Sequence, residues 1–251
     1  MPRFRSLAQA DISAKATDGD IEDIVTVADE EAEAALTQGL RTLLDVPVIG
    51  EEAAAADASR LRLLDDEGAR WVVDPLDGTK NFAAGNDGFG VMVSLVERRA
   101  VRAAWVHLPA RCETFVAEQG GGAQLNGAAL RVPDTAPAAR PRASLFVRFM
   151  PDDTREVFVA HVSPHLESAA ACGAAAVEYT DVLRGRKDLV VYFRLLPWDH
   201  GAPALVLQEA GGVVTHLDGA PYTIASQNQV TILARTPELA ARVRAWAGAR
   251  P

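Results

Sequence analysis

Two aspartates that follow a short apolar run are the first residues in this sequence with a clear chemical use. The apolar run 71–73 predicts a strand that leads directly into Asp74 and Asp77. Pro75 restricts Asp74 to an extended conformation, and Gly78 lets the backbone approach a ligand closely. Two carboxylates held in this way suit a hard cation such as Mg²⁺, which prefers oxygen ligands. The competing interpretation is a loop with capping aspartates, because turns favour Asp and Gly.

Three other segments place acidic residues next to predicted helices or strands. Asp29 stands at the start of a predicted helix, Glu51 and Glu52 follow a short apolar strand, and Asp199 precedes another predicted helix. Each has a simpler explanation. An aspartate at a helix start can be a plain N-cap, and two adjacent glutamates can be solvated surface charges. Taken with the paired aspartates, these segments favour a metal-dependent reaction.

These motifs give the sequence its resemblance to the inositol monophosphatase family of lithium-sensitive, metal-dependent phosphatases. Their order and spacing match the family, and weaker similarity extends over nearly the whole chain. The motifs are Val25-Thr-Val-Ala-Asp29, Gly50-Glu51-Glu52, Asp74-Pro-Leu-Asp77-Gly-Thr79, and Trp198-Asp199 followed by Glu209-Ala-Gly-Gly212. The resemblance implies a mixed α+β fold, a layered αβαβα sandwich, and Mg²⁺-dependent hydrolysis of a small phosphate monoester.

The resemblance also implies a set of ligands for two or three Mg²⁺ ions. These ligands are the carboxylates of Glu51, Asp74, Asp77 and Asp199 and the backbone carbonyl of Leu76. Metal ions lower the pKa of an attacking water and neutralise charge on the leaving oxygen. We therefore expect no activity in the presence of a chelator.

The catalytic positions implied by the same resemblance are Glu51, Thr79 and Asp29. The main-chain N–H groups of Gly78 and Thr79 are expected to hold the substrate phosphate. The Thr79 hydroxyl, oriented by Asp29, is expected to position and activate the attacking water.

Further substrate contacts are expected from the small residues Gly173 and Ala175 and from the metal-binding Asp77 and Asp199. Gly173 and Ala175 belong to a segment that resembles the family's loop beside the sugar ring. A helix of small residues that packs against another element explains the same segment equally well.

Three features depart from the family pattern. The stretch 191–197 lacks the glutamate that many inositol phosphatases carry before Trp-Asp, and it contains Arg194 instead. Arg194 either favours a substrate with a second anionic group or lies on the surface. If Asp199 is an N-cap, Pro203 falls where the first helical hydrogen bond would form, which is unfavourable. Few residues precede Lys15, where family members usually carry a helix.

Composition limits the classes of partner. The chain has 251 residues, a net charge of −9 and two widely spaced cysteines. An acidic chain is a poor general binder of nucleic acid, and the sequence contains no apolar run long enough to span a bilayer. We predict a cytoplasmic enzyme that acts on a small phosphorylated metabolite, without a nucleic-acid or membrane partner. Dimerisation is common in the family, so a homodimer is compatible with this prediction.

Strand and helix patterns alternate without a strict repeat, and the Pro- and Ala-rich segment 133–141 marks a predicted boundary. The half 1–140 would supply most metal ligands, and the half 141–251 would supply Asp199 and the substrate loop. The main predicted helices are 29–44, 172–183, 202–210 and 237–247. The main predicted strands are 71–73, 91–96, 101–107, 144–149 and 189–193.

The substrate is the least determined part of this prediction. Inositol monophosphate is the family default, and histidinol phosphate, a sugar bisphosphate and a 3′-phosphonucleotide are alternatives that share the metal site. A phosphatase-like binding or regulatory protein is an alternative of a different class. The complete acidic set argues against it, because an inactive relative would be expected to have lost a ligand.

Overall fold

The computed structural model describes residues 1–15, 23–136 and 138–248. Its helices are α1 (Val27–Leu43), α2 (Glu51–Ala56), α3 (Thr79–Ala83), α4 (Asp152–Val157), α5 (Ala175–Leu183), α6 (Pro197–Glu209) and α7 (Pro237–Gly248). Its strands are β1 (Ile12–Lys15), β2 (Asp23–Thr26), β3 (Val48–Gly50), β4 (Arg70–Asp77), β5 (Gly90–Glu97), β6 (Ala100–Leu108), β7 (Glu113–Glu118), β8 (Gly122–Leu125), β9 (Ala128–Leu130), β10 (Arg142–Leu145), β11 (Glu167–Ser168), β12 (Leu189–Tyr192), β13 (Val213–His216) and β14 (Thr231–Ala234).

The strands form two large sheets and one small antiparallel pair, β1-β2. The first large sheet has the order β3-β4-β5-β6-β7-β8-β9, and it is antiparallel except for the parallel pair β3-β4. The second has the order β11-β10-β12-β14-β13, with parallel pairing of β10 to β11 and β12. The predicted boundary near residue 140 falls between these sheets in the sequence, and the division into two halves stays a prediction.

Helices separate and cover the two sheets. α5 and α6 contact strands of both sheets, and α1 packs against β4 in the first sheet. α7 packs against β13 and β14 in the second. The largest apolar cluster joins side chains of both sheets with those of the middle helices, among them Phe115, Tyr179, Leu207 and Leu233. The predicted αβαβα sandwich is therefore confirmed.

α1 begins with a reciprocal cap. Thr26 is the N-cap, and its Oγ1 accepts the N–H of Ala28 at 3.2 Å. Asp29 Oδ2 accepts the N–H of Thr26 at 2.8 Å, which completes a capping box. Asp29 is therefore not the N-cap but the third helical residue, and its second carboxylate oxygen is free for another contact.

α6 begins five residues before the predicted start, at Pro197. Proline is favoured at the first position of a helix, because its fixed φ suits the helix and its missing N–H is not needed there. Asp199 is thus the third helical residue rather than the N-cap, and Pro203 lies inside the helix. Pro203 has no N–H for the carbonyl of Asp199, but burial of most of α6 between the sheets outweighs the loss of one bond.

Other predicted elements differ mainly at their ends. The strand 71–73 extends to Asp77, so both aspartates of the central motif lie within β4. The helix predicted from Cys172 begins only at Ala175, which leaves residues 172–174 as a loop. After Gly50 the chain forms α2, which is followed by 3₁₀ turns over Ala58–Asp65.

Candidate active site

A bulge in β4 sets the directions of its two aspartates. Asp74 pairs with Met92 and Asp77 with Gly90 of β5, so three steps along β4 oppose two steps along β5. Side chains three residues apart point to opposite faces of a regular strand, and an extra residue reverses that alternation. Pro75, which has no N–H to donate, lies within the bulge. Both aspartates line the same cavity.

Three carboxylates from different elements meet beside β4. Glu51 is the first residue of α2, Asp74 lies in β4, and Asp199 is in the first turn of α6. One oxygen from each lies within 4.8 Å of the others. Burial, together with the neighbouring carboxylate charges, raises the pKa of Asp74 well above its usual range. A bound cation would stabilise the charged forms of carboxylates this close together, and this set of hard oxygen donors fits a divalent ion such as Mg²⁺.

The helix that carries Glu51 is held by Glu33 of α1, a residue that the sequence analysis did not single out. The Glu33 carboxylate accepts the backbone N–H groups of Glu52 and Ala53 at 2.8 and 2.9 Å, so it caps α2. A Cβ at position 50 would overlap the Glu33 carboxylate, which explains why this position is Gly50. The glycine and the buried glutamate together set the position of Glu51.

Asp77 is held differently from the three clustered carboxylates. Its two oxygens accept the N–H groups of Ala175 and Ala176 at 3.0 and 2.6 Å, so it caps α5. Burial raises the pKa of Asp77 to about 7, although these hydrogen bonds favour the charged form. Its role as a metal ligand stays a prediction. Ala175 does not line the cavity, so the geometry does not favour its predicted contact with a substrate hydroxyl.

Thr79 and Asp29 form the hydrogen bond that the sequence analysis expected. Thr79 Oγ1 donates to Asp29 Oδ1 at 2.9 Å and lies 3.1 Å from the carbonyl oxygen of Leu76. Asp29 Oδ2 is occupied by Thr26, whose hydroxyl donates to it at 2.6 Å. Burial raises the pKa of Asp29. The threonine hydroxyl is thus held by a buried carboxylate at the edge of the cavity.

Gly78 joins β4 to α3 in a conformation that favours glycine. Its φ is 84°, in the left-handed region. A Cβ here would lie 2.8 Å from both the Cβ of Ala174 and the carbonyl oxygen of Gly88. Close packing of this turn against the loop before α5 therefore requires glycine, whatever its backbone N–H binds.

Gly173 lines the cavity, as predicted, and its loop is fixed from two sides. Asn81 Nδ2 donates to the carbonyl oxygens of Cys172 and Gly88 at 2.8 and 2.6 Å. This amide links the start of α3 to the loop before α5. It keeps Gly173 beside the aspartates of β4.

A buried ion pair holds the same loop from inside. Lys187 Nζ lies 2.5 Å from Glu178 Oε2 and donates to the carbonyl oxygen of Ala170 at 2.9 Å. Glu178 Oε1 accepts the N–H of Cys172 at 2.5 Å. Glu178 is fully buried and Lys187 almost so. The pair therefore ties both ends of the segment 170–172 to α5.

The aspartates of β4, Glu51, Thr79 and Asp199 border a cavity of about 700 Å³. Two sets of residues in its lining are important here. The carboxylate end consists of side chains carried by helices and strands: Glu51, Asp74, Asp77, Thr79 and Asp199. The loop wall consists of side chains carried by connecting segments: Phe149, Phe193, Arg194, Ser226, Gln227 and Asn228.

Arg194 belongs to the loop wall, which corrects the interpretation of this residue as a surface side chain. It lies on the segment between β12 and α6, is partly buried and lines the cavity. Its guanidinium carbon lies 4.7 Å from the ring centroid of Phe149. The stretch 191–197 thus contributes a cation to the cavity where many inositol phosphatases have an acid.

Ser226 of the loop wall is held by a buried histidine. His216 Nε2 lies 2.9 Å from Ser226 Oγ, and Nδ1 lies 2.8 Å from Thr231 Oγ1. Thr231 Oγ1 donates to the carbonyl oxygen of Gln229, so it accepts from Nδ1–H, and Nε2 is left to accept from the serine hydroxyl. Burial lowers the pKa of His216, while the charge of Asp218 acts in the opposite direction.

The family model described as the inositol monophosphatase family matches residues 2–247. The chain belongs to this family. Membership supports a phosphatase activity, and the matched range includes every residue of the carboxylate end. Among residues 1–15, 23–136 and 138–248, every helix is too short or too polar to cross a bilayer.

Two curated relatives illustrate the range of this family. The fructose-1,6-bisphosphatase/inositol-1-monophosphatase of Thermotoga maritima is 32% identical over 209 residues, which cover 82% of this chain and 76% of that protein. The Nus factor SuhB of Pseudomonas aeruginosa is 33% identical over 226 residues, which cover 86% of this chain and 80% of that protein.

Solved structures agree with the fold. An IMPase of Thermotoga maritima matches with a TM-score of 0.78 and 27% identity, and the match covers 98% of this chain and 91% of that one. An IMPase/NADP phosphatase complexed with Mg²⁺ and phosphate matches with a TM-score of 0.76 and 19% identity, covering 96% and 88% of the two chains. At that identity the second match shows the fold alone.

Proposed function

We propose that this protein is a Mg²⁺-dependent phosphoric monoester hydrolase that acts on a small phosphorylated metabolite. The observation that carries the proposal is the meeting of Glu51, Asp74 and Asp199 within 4.8 Å at a cavity of about 700 Å³. Cavities of this size suit small ligands. Membership of the inositol monophosphatase family supports the same reaction class.

The chain's own donors suit a divalent metal. Glu51, Asp74 and Asp199 would hold one ion, and Asp77 with the carbonyl oxygen of Leu76 would complete sites for a second or third. Bound Mg²⁺ would supply charge neutralisation at the phosphoryl oxygens and a lowered pKa for the attacking water. The raised pKa of Asp74 means that its charged form is unfavourable while no cation neutralises the cluster. This supports the assignment of a metal ion to these residues.

The turn after β4 would bind the phosphate and orient the nucleophile. The backbone N–H groups of Gly78 and Thr79 would hold phosphoryl oxygens. Because Thr79 Oγ1 directs its proton to Asp29 Oδ1, its lone pairs can accept a hydrogen bond from a water on the cavity side. Asp29 would in this way direct a proton of the attacking water away from its oxygen. Glu51 would lie beside that water. General acid–base groups of this kind contribute about 10²- to 10⁴-fold to the rate.

The remaining cavity would bind the organic part of the substrate. Gly173 lines it at the loop before α5, and Asp77 and Asp199 lie where they can accept from substrate hydroxyls. Inositol monophosphate is the family default. The Thermotoga maritima relative is named for both fructose 1,6-bisphosphate and inositol 1-phosphate, and histidinol phosphate and 3′-phosphonucleotides are further candidates. The proposal includes a cytoplasmic enzyme without a nucleic-acid or membrane partner, and a homodimer is compatible with it.

A regulatory or binding role is the second candidate, favoured by the 33% identity to the Nus factor SuhB of Pseudomonas aeruginosa. The complete carboxylate end favours the enzyme. A protein that acted only by binding would not require three mutually repelling carboxylates, one of them buried and two partly buried, around one point.

The test is phosphate release by the purified protein with Mg²⁺ and with chelator. The substrates are inositol 1-phosphate, histidinol phosphate, fructose 1,6-bisphosphate and adenosine 3′,5′-bisphosphate. We expect turnover that needs the metal and that Asp74→Asn lowers by about 10²-fold or more. The matched control is Asp45→Asn, which changes an exposed aspartate and should leave turnover unchanged.

Calorimetric titration with Mg²⁺ separates the two candidate functions. A folded protein that binds Mg²⁺ and releases no phosphate from any of these substrates would support the binding role. A folded protein with no Mg²⁺ affinity would contradict the metal site itself.

A further inference from the structure

Arg194 places a positive charge at the cavity, and hydrolysis of a simple phosphate monoester does not account for that charge. It lies five residues before Asp199, so the same short segment that leads into α6 carries both a carboxylate of the cluster and a cation. Both residues line the same cavity. A ligand whose phosphate lies at the carboxylate end would therefore share this cavity with the guanidinium.

The ring of Phe149 holds the guanidinium of Arg194 in place. Its carbon lies 4.7 Å from the centroid of the Phe149 ring, and a cation over an aromatic face is attracted by the ring. Among the residues that the structure describes, no ion pair within 4.0 Å involves Arg194. The other members of the loop wall are uncharged: Phe149, Phe193, Ser226, Gln227 and Asn228.

A partly buried cation in a ligand cavity is usually matched by an anion. Guanidinium presents several N–H donors in a planar fork, a geometry that suits the oxygens of phosphate or carboxylate. The ring of Phe149 restricts the fork and so reduces the entropy lost when it binds. The neutral amides of the loop wall, on Gln227 and Asn228, can donate to the same anion.

We propose that Arg194 is a specificity-determining residue that binds a second anionic group of the substrate, separate from the phosphate that is hydrolysed. The inference rests on the proposed phosphatase function. It assigns the substrate to phosphate monoesters that carry a further phosphate or carboxylate, such as sugar bisphosphates and nucleotide 3′,5′-bisphosphates. It disfavours histidinol phosphate, whose organic part carries a positive amino group that Arg194 repels.

The experiment compares substrates that differ only in the second phosphate. The pairs are fructose 1,6-bisphosphate with fructose 1-phosphate, and adenosine 3′,5′-bisphosphate with adenosine 3′-monophosphate. Wild-type protein should prefer the bisphosphate in at least one pair by about 10- to 100-fold in kcat/KM, as expected for charge-assisted hydrogen bonds. The preference should appear mainly in KM, because the second anion is remote from the reacting phosphate.

Arg194→Met keeps an unbranched apolar side chain against Phe149 and removes the charge. It should abolish the preference by raising KM for the bisphosphate, while kcat/KM for the monophosphate stays near wild type. Activity on the monophosphate also shows that the variant folds. Arg194→Lys should keep part of the preference, because it retains a cation without the planar fork.

Lys80 is a second cation among the described residues that line the cavity, and it provides the comparison. Lys80→Met is expected to change both members of a pair by the same factor, which leaves the preference intact. Loss of the preference in Lys80→Met, or its persistence in Arg194→Met, would assign the second anion to a different residue and overturn the proposal.

The result also separates this inference from the proposed function. Metal-dependent turnover with no preference in either pair overturns the role of Arg194 alone. Absence of turnover on every compound overturns the proposed function and this inference with it.

Discussion

The carboxylate end and the loop wall face the same cavity but are built in different ways. At the carboxylate end, each functional side chain lies in a helix or strand, and hydrogen bonds between elements support several of them: Glu33 caps the helix of Glu51, and Asp77 caps α5. In the loop wall, Arg194 is held by an aromatic ring, and Ser226 by His216 and its near neighbour Thr223. A site on regular elements keeps its geometry more exactly than one on loops.

This difference indicates that the carboxylate end and the loop wall have different functions. The reacting phosphate and metal need positions fixed to within about 0.5 Å, which the carboxylate end can provide. Recognition of the organic part tolerates more variation, and loops are where such variation is tolerated. The following changes test the contrast, beginning with the largest expected effect.

Removing the hydroxyl of the carboxylate end should affect the chemical step most. Thr79→Val removes the donor to Asp29 Oδ1 and keeps the branched shape, so kcat should fall by about 10²-fold or more. Thr79→Ser keeps the hydroxyl and should recover much of the rate. In the loop wall, Ser226→Ala should change KM more than kcat. Steady-state kinetics with Mg²⁺ check all three, and equal effects on kcat at both positions would remove the contrast.

Breaking the buried ion pair under the substrate loop should affect stability next. Lys187→Met leaves the fully buried Glu178 without its cation, and such changes cost about 3–5 kcal/mol in the free energy of unfolding. Denaturant unfolding measures the loss. Arg186→Met is the matched control, because its pair with Asp181 has a half-exposed arginine and should contribute at most about 1 kcal/mol.

Replacing Glu178 by Leu in the Lys187→Met background should restore part of the lost stability, since an apolar pair has no uncompensated charge. If the double variant is less stable than Lys187→Met by a further full increment, the two residues do not act as a pair.

Changing the cap of α2 should have a smaller effect, of about 1–3 kcal/mol in unfolding free energy. Glu33→Gln places an amide NH₂ where one carboxylate oxygen accepts a backbone N–H, so one buried donor of α2 loses its acceptor. Because α2 carries Glu51, Mg²⁺ affinity measured by calorimetry should also fall. Glu31→Gln, which changes an exposed glutamate of the same helix, should alter neither quantity. A Glu33→Gln variant with wild-type metal affinity would contradict the positioning role.

The smallest expected effect is a pH dependence of the unfolding free energy at His216, which holds Ser226 of the loop wall. The pKa of His216 is lowered in the folded protein, so below about pH 6.5, the usual histidine pKa, the unfolded chain binds more protons than the folded one. Stability from this residue is therefore fully present above about pH 6.5 and declines as the pH falls. The groups that face the ring are Ser226, Thr231, Tyr222 and Asp218, and the charge of Asp218 reduces the effect.

The measurement is the unfolding free energy of wild type and His216→Gln at several pH values. Their difference should shrink on acidification with a slope well below the one-proton limit of about 1.4 kcal/mol per pH unit. A difference that grows on acidification would show that the folded protein stabilises the charged ring.

The sequence was sufficient for the layered fold and for the residues that meet at the carboxylate end. The resemblance of the motifs to the inositol monophosphatase family carried this information, and local patterns showed only that Asp74 and Asp77 follow an apolar strand and that Asp199 stands beside a helix. The exact start of α6 was missed because Pro203 looked like a helix breaker, whereas a helix buried between two sheets tolerates it. Pro197 was the better signal for the start.

Contacts between distant segments were not predictable from spacing. Asp77 and Ala175 are 98 residues apart, and no local pattern relates them. Glu33 offered a weak signal, since it lies four residues after Asp29 and so shares one face of α1 with it. The stacking of Arg194 on Phe149 joins two loops, whose paths depend on the whole fold.

The cap that Asp77 forms on α5 changes what a missing aspartate would mean in a related chain. Because this carboxylate connects a strand of the first sheet to a helix between the sheets, it stabilises the packing of the two elements as well as being a candidate metal ligand. A relative that had given up hydrolysis for a purely regulatory role would be free to lose Glu51 or Asp199, yet would still need Asp77 to hold its layers together. Retention of Asp77 alone would therefore report on the fold, whereas Glu51, Asp74 and Asp199 would report on chemistry.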